Sequence, residues 1–340
     1  MFVNFETITR STDEFGDIDL NVAIVGDPDA PLIVCVHGWP EIWHSWRHQM
    51  EHFSGRGYRV AAMDVRGYGG SSRPEAIAAY RLSELAGDTA AVIEALNPTS
   101  PAILFGHDWG APIVWNTARL HPDRVRAVAG MSVPYIPATK GDPLDLWRSI
   151  YADRYFYMLY FQQVGAPEAE FEADMASALR KTYFCASADA PAGAWLDKGP
   201  DSNFLDTLVE PDPTPEWMSD EALAPTIEAH ESGSMHGAFH RYRAQYLDGD
   251  EIEGVGDPML AQPTCFIAGV SDMVRVFVPG VDAFAKPDAF LSDYRGTTLI
   301  EGAGHWVQQE KPAETNTALE AFLRSLPAQL GSDPKLVGSG

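Results

Sequence analysis

Long apolar runs, a surplus of positive charge and a disulfide framework are all missing from this chain, and each absence removes a class of function. No apolar run approaches the roughly 20 residues of a membrane-spanning helix. Met1–Ile8 lacks both a basic n-region and a long apolar h-region, so no secretory signal is expected. Lys and Arg number 24 against 48 Asp and Glu, a formal charge of −24. That balance argues against nucleic acid and anionic membrane surfaces as partners. The acidic residues are dispersed and read as a solvated surface, which also disfavours strongly anionic substrates and points to neutral ones. The three cysteines, Cys35, Cys185 and Cys265, are an odd number, and two fall in predicted buried strands. They read as small core hydrophobes in a reducing cytoplasm rather than as a structural disulfide. Internal repeats are absent as well.

What remains is a globular composition. With 340 residues, 45% of them hydrophobic, the chain can bury one large core, with or without an insertion. Leu32–Val36, Tyr58–Met63, Ala102–Phe105 and Val125–Ala129 read as buried strands, and Thr264–Ala268 and Thr297–Ile300 resume the pattern much later. Residues 41–54, 83–95 and 110–120 have helical periodicity between the early strands. Such alternation predicts an α/β fold with a mostly parallel sheet covered on both faces. Phe2–Thr9 and Asp19–Val25 are expected to add an antiparallel edge.

The rhythm breaks between about 139 and 255. Aromatic-rich helical stretches are predicted at Leu146–Gln162, Glu168–Ser187, Asp220–Glu231 and Gly237–Leu247, with a Pro/Gly/Asp-rich excursion over 198–214. The resulting division is a core of residues 1–138 and 254–328, a helical cap of 139–253 over the carboxyl edge of the sheet, where such folds bind ligands, and a frayed tail of 329–340.

One further absence is local. Gly106-His107-Asp108-Trp109-Gly110 lies between the apolar Pro101–Phe105 and the helical Ala111–Arg119. A small-x-nucleophile-x-small turn between strand and helix is a nucleophile elbow, but serine is missing from its centre. Aspartate there makes the covalent intermediate an ester on the enzyme's own carboxylate, which restricts substrates to electrophilic sp³ carbons such as epoxides or alkyl halides. The ester needs a base to release it. His305, flanked by glycine in Gly302-Ala-Gly304-His305-Trp306, follows the last predicted strand and suits deprotonation of water near neutrality. Asp272, after strand Thr264–Ala268, is the orienting acid, because the competing position after Val125–Ala129, Met131-Ser-Val-Pro134, holds no carboxylate. Oxyanion donors are expected from the backbone N–H groups of Trp109 and, in His37-Gly38-Trp39-Pro40, of Trp39. His37 and His107 read as structural.

Together, His37-Gly-Trp-Pro-Glu-Ile-Trp-His-Ser-Trp-Arg47, Arg66-Gly-Tyr-Gly-Gly-Ser-Ser-Arg-Pro74, Gly106–Gly110 and Gly304-His-Trp306 resemble the α/β-hydrolase-fold epoxide hydrolases, the actinobacterial members especially. The resemblance spans nearly the whole chain. It implies a mostly parallel eight-stranded sheet flanked by helices, a helical cap, and conversion of an epoxide and water to a vicinal diol. It also implies two cap tyrosines that hold the epoxide oxygen. Tyr157-Met-Leu-Tyr160-Phe-Gln162 matches the first segment and gives Tyr157; the second, usually Asn-Trp-Tyr-Arg, reads His240-Arg241-Tyr242-Arg243 here and gives Tyr242. The two residues before Tyr242 depart from the pattern, and the pocket beside it is expected to differ accordingly. The chemistry makes phenols intelligible on its own terms, since opening an epoxide leaves an alkoxide that an O–H must meet. Tyr151, Tyr155 and Tyr160 are read as packing or pocket-lining.

Haloalkane dehalogenation with the same Asp nucleophile is the nearest alternative, with Trp109, Trp147, Trp195 or Trp217 as halide donors; paired tyrosines have no task in it. A fluoroacetate-type dehalogenase would resemble Asp-Arg rather than Asp108-Trp109. A non-catalytic ligand-binding protein is the remote alternative. The epoxide mechanism requires no metal and no organic cofactor. The expected partners are a small neutral epoxide and water, and a homodimer is compatible with the sequence.

Overall fold

The computed structural model describes residues 2–191 and 193–327. The predicted tail, 329–340, and residue 328 lie outside the described residues.

The most hydrophobic segments form the centre of one eight-stranded sheet. Its strands are β1 (Asn4–Thr12), β2 (Gly16–Val25), β3 (Leu32–Val36), β4 (Arg59–Met63), β5 (Ala102–His107), β6 (Val125–Met131), β7 (Leu260–Gly269) and β8 (Leu291–Ile300), in the order β1-β2-β4-β3-β5-β6-β7-β8. β1 and β2 form the antiparallel edge, in register Asn4↔Ile24 to Thr12↔Gly16, and β2 joins β4 antiparallel. From β4 onward all pairings are parallel. The alternation of a pleated strand distributes its side chains to two cores. In β3, Leu32, Val34 and Val36 face one core, and Ile33 and Cys35 face the other. In β5 Leu104 and Ile103 divide in the same way.

Helices α1 (Arg47–Ser54), α2 (Leu82–Leu96) and α3 (Gly110–Leu120) make the early crossovers, and α10 (Val307–Glu310) and α11 (Pro312–Ser325) follow β8. Between β6 and β7 come α4 (Pro143–Ile150), α5 (Tyr157–Tyr160), α6 (Ala166–Glu172), α7 (Met175–Cys185), α8 (Asp220–Glu231) and α9 (His236–Ile252). Two helices expected to be continuous are broken. Leu146–Gln162 divides into α4 and α5 because the chain bends at 151–156, where Tyr151 stacks on Phe156 at 4.3 Å and donates to the Phe277 carbonyl at 2.6 Å. Glu168–Ser187 falls in α6 and α7 because Asp174 takes the Ser177 N–H as an N-cap, a role that competes with helix continuation. The last strands run longer than their apolar stretches. The extra residues of β8 are largely polar and partly exposed, so they leave no hydrophobic signal.

Candidate active site

Asp108 sits at the point where β5 stops and α3 starts. Its φ of +50° is in the left-handed region, which non-glycine residues rarely occupy. The turn is tight enough that a Cβ on Gly106 would strike the Gly110 carbonyl and Val114, and one on Gly110 would strike the Val36 carbonyl. A Cβ on Gly38 would meet the Asp108 carboxylate itself, so the loop after β3 must carry glycine there to approach it. That approach brings the Trp39 N–H to Asp108 Oδ1 at 2.7 Å. The backbone N–H of Trp109, the next residue, also favours the ionised form of the carboxylate. Both expected oxyanion donors therefore converge on the elbow.

His305 comes from the loop after β8, and its Nε2 lies 3.4 Å from Asp108 Oδ2. Its Nδ1 lies 3.1 Å from Asp272 Oδ1. Asp272 follows β7, and Oδ1 also accepts the Val274 N–H at 3.0 Å, which fixes the carboxylate before the imidazole meets it. Burial alone would lower the His305 pKa, but the Asp272 charge and the hydrogen bonds to Asp108 and Asp272 overcome it and hold the ring well above the ordinary histidine value. Burial likewise opposes ionisation of Asp108, yet the His305 hydrogen bond and charge, helped by His107 and the Trp109 N–H, keep its pKa below the usual carboxylate value. The resting site thus favours an ionised Asp108 beside a protonated His305.

Tyr157, on α5, and Tyr242, on α9, meet above this cluster edge to face, with ring centroids 5.9 Å apart. The Trp109 ring packs edge-on against Tyr242, with centroids 5.3 Å apart. Both phenols are buried, and burial, together with the neighbouring Asp108 charge, pushes them well above the ordinary tyrosine value. Around them Trp39 packs against Phe161, Phe171, Phe204, Phe239 and Tyr242 at 5.2–6.1 Å. All seven predicted residues, Trp39, Asp108, Trp109, Tyr157, Tyr242, Asp272 and His305, are thus gathered at one place. Tyr151 and Tyr160 bond outside it, to the Phe277 carbonyl and to Glu170.

The departure before Tyr242 also has a structural account. Arg241 is buried, paired with Asp248, and its guanidinium lies 4.7 Å from the Trp109 ring centroid, a cation–π contact on the residue next to the nucleophile. His240 turns away to the Glu75 carbonyl at 3.1 Å.

A buried network with no local sequence signature lies beneath His305. Glu41 Oε2 is 2.8 Å from His107 Nδ1, and His107 Nε2 reaches the His305 carbonyl at 2.7 Å. Glu41 also takes side-chain N–H groups of Gln308 and Gln309 at 2.9 Å. Ser132 Oγ donates to the same His305 carbonyl at 2.9 Å. Glu41 stands inside the His37–Arg47 motif, but its partners are far away in sequence and carry no local signature. His37 is engaged by the Gly38 carbonyl and the Val65 N–H, a structural role. Among the described residues no group of three or more His, Cys, Asp or Glu has a metal-holding arrangement.

A carboxylate at a strand-to-helix elbow, facing a histidine and acid carried on later strands of a parallel sheet, defines an α/β hydrolase, and residues 31–312 match that family. Within it the relatives agree closely in length as well as in sequence. The chain is 39% identical to epoxide hydrolase A of Mycobacterium tuberculosis over 91% of its own length and 95% of the relative's. Epoxide hydrolase A from Mycobacterium thermoresistibile superposes with a TM-score of 0.84 at 38% identity, covering 95% of this chain and all of that one. An epoxide hydrolase from an endophytic Streptomyces gives 0.84 at 35%, covering 94% and 95%. This chain belongs to the epoxide hydrolase family.

Proposed function

We propose that the enzyme converts a small neutral epoxide and water to a vicinal diol, with Asp108 as nucleophile and His305 as base. The strongest support is the placement of the Asp108 carboxylate between N–H donors and an imidazole on one side and two phenols on the other. Asp108 Oδ1 is held by Trp39, which leaves Oδ2 to attack an epoxide carbon. The carbon–oxygen bond breaks as the ester forms, and the departing oxygen takes a proton from the Tyr157–Tyr242 pair. In the resting enzyme burial above all, with the Asp108 charge added to it, makes those phenols poor acids. Attack moves that charge onto the substrate oxygen, so their acidity rises as the alkoxide appears.

Esterification also removes Asp108 as a partner of the imidazolium. The His305 pKa then falls, the imidazolium gives up its proton through solvent to the tyrosinate left by ring opening, and the neutral ring can take a proton from water as that water attacks the ester carbonyl. Asp272 retains the ring's orientation. The Trp39 and Trp109 N–H groups meet the oxyanion, at about 3–4 kcal/mol for a donor of this kind. Collapse of the tetrahedral intermediate breaks the ester carbon–oxygen bond; the departing diol oxygen takes the proton left on the new carboxyl, so Asp108 is ionised again and His305 keeps the proton it took from water. No step calls on a metal or an organic cofactor.

Residues 1–138 and 254–328 act as the hydrolase core and 139–253 as a cap that supplies the phenols. The buried, unpaired thiols of Cys35, Cys185 and Cys265 fit a cytoplasmic enzyme. A homodimer is a further expectation, checked by sedimentation. No helix among the described residues is long and apolar enough to cross a membrane.

One observation favours the dehalogenase alternative: the indole N–H groups of Trp39 and Trp195 are buried without partners, as halide donors would be. Trp109, however, packs edge-on against Tyr242, and paired tyrosines have no task in halide loss. Incubation with styrene oxide and with 1-bromobutane separates the two, with diol expected from the first. Bromide release without diol would overturn the proposal. His305→Gln should open the ring once and retain an alkyl-enzyme visible by intact mass.

A further inference from the structure

Glu310 closes α10, outside the set of groups that would touch substrate. Its carboxylate nevertheless takes both peptide N–H groups that flank His305. Oε2 accepts from Gly304 and Oε1 from Trp306, each at 2.9 Å. Oε2 also accepts the N–H of Ala188 at 2.9 Å, three residues past the end of α7. The same stretch of chain is bound to the base loop in other ways. The His305 N–H donates to the Ala186 carbonyl at 2.9 Å, and the Trp306 indole donates to the Tyr183 carbonyl at 2.7 Å. The approach is close, since a Cβ on Gly304 would enter the Ser187–Ala188 backbone.

Three N–H donors from two chain segments require an acceptor with two oxygens and several lone pairs, which a carboxylate alone among side chains supplies without adding a donor. Burial pushes the Glu310 carboxyl up to about 7, while these three N–H bonds favour its ionised form, to which they are stronger. The Asp108 carboxylate meets His305 too, but it is also held by the Trp39 N–H, which Glu310 does not touch. Formation of the ester therefore keeps the Trp39 support when His305 shifts, whereas hydrolysis has no other base.

We propose that Glu310 is a positioning residue for His305, joining the loop that carries the base to segment 186–188 so that hydrolysis of the covalent intermediate depends on it and formation does not. This rests on Asp108 as nucleophile and His305 as base. Misplacing a reacting group by an ångström costs on the order of 10²-fold, and Glu310→Gln turns an amide N–H₂ toward one of the donors that the carboxylate accepts.

Rapid-quench single turnovers with styrene oxide, followed by intact mass, test the proposal. In Glu310→Gln the alkyl-enzyme should form within about twofold of the wild-type rate and decay on the order of 10²-fold more slowly. Glu310→Asp, which keeps both oxygens on a shorter arm, should decay at an intermediate rate. Wild-type decay in Glu310→Gln, or formation and decay slowed in parallel, would overturn the proposal. So would failure of both variants to fold, since Glu310 would then be a residue of the fold alone. His305→Gln, run beside them, keeps the two levels distinct. If it fails to accumulate the adduct, the base assignment is wrong; if it accumulates the adduct while Glu310→Gln turns over normally, only the role of Glu310 is lost.

Discussion

The two walls of the site are built from opposite materials. The wall formed by the sheet's strand ends carries charge, with Asp108, His305 and Asp272 in contact and Glu41 and His107 beneath them. The wall formed by α5 and α9 presents phenols within a shell of Trp39, Phe161, Phe204 and Phe239. Charge needs fixed partners, and here it sits on loops tied to parallel strands. A leaving oxygen needs a proton only as its charge develops, and neutral phenols in an apolar shell can wait for that moment. In the proposed mechanism bond making and ester hydrolysis fall to one wall and leaving-group protonation to the other.

Each wall can be broken separately. Asp108→Ala should lower diol formation by at least roughly 10⁴-fold, the scale of losing a catalytic nucleophile; retention of more than a few per cent of turnover would remove Asp108 from its role. Arg241→Met comes next, because it leaves Asp248 buried without its partner and strips the cation from Trp109. It should cost about 3–5 kcal/mol in chemical denaturation, and an unchanged midpoint would show the pair to be dispensable. Tyr157→Phe and Tyr242→Phe should each slow alkyl-enzyme formation on the order of 10²-fold. Their effect on its decay should be small. If decay slowed as much as formation, the separation of tasks between the walls would be wrong.

The pH profiles should sharpen the contrast with the smallest effect. Asp108 is held below the ordinary carboxylate value, so ring opening should persist as the pH falls. His305 must lose a proton to act as base, so hydrolysis should decline on the acid side as that ring protonates. Single turnovers across pH should therefore show decay of the ester failing at a higher pH than its formation. The reverse order would contradict the assigned charges.

The charged wall was far more legible in the sequence than the other. β3 and β5 are buried throughout, so their apolar runs mark them, and the turns that follow carry glycines that a side chain could not replace. Asp272 and His305 follow strands and were found by chain order. On the other wall Tyr157 and Tyr242 came only from resemblance, since aromatic residues crowd that region and pattern alone does not separate a donor from a packing residue. The bend at 151–156 follows from a stacking contact and a bond to Phe277, neither of which has a sequence period. Glu41 and Glu310 were missed for a related reason. Their function lies in which backbone and side-chain groups they satisfy, and those partners are fixed only by the finished fold.

The backbone at Asp108 has a consequence for how this enzyme can be improved. Only Asp108, Ser132 and Thr207 among the described non-glycine residues have positive φ, and the first two adjoin the base or its loop. A left-handed non-glycine residue costs on the order of 1–3 kcal/mol. Glycine at 108 would relieve that strain while abolishing the chemistry. Screens that reward heat resistance alone will therefore tend to erode this corner of the molecule, and hardening of the enzyme is better sought in residues remote from the elbow.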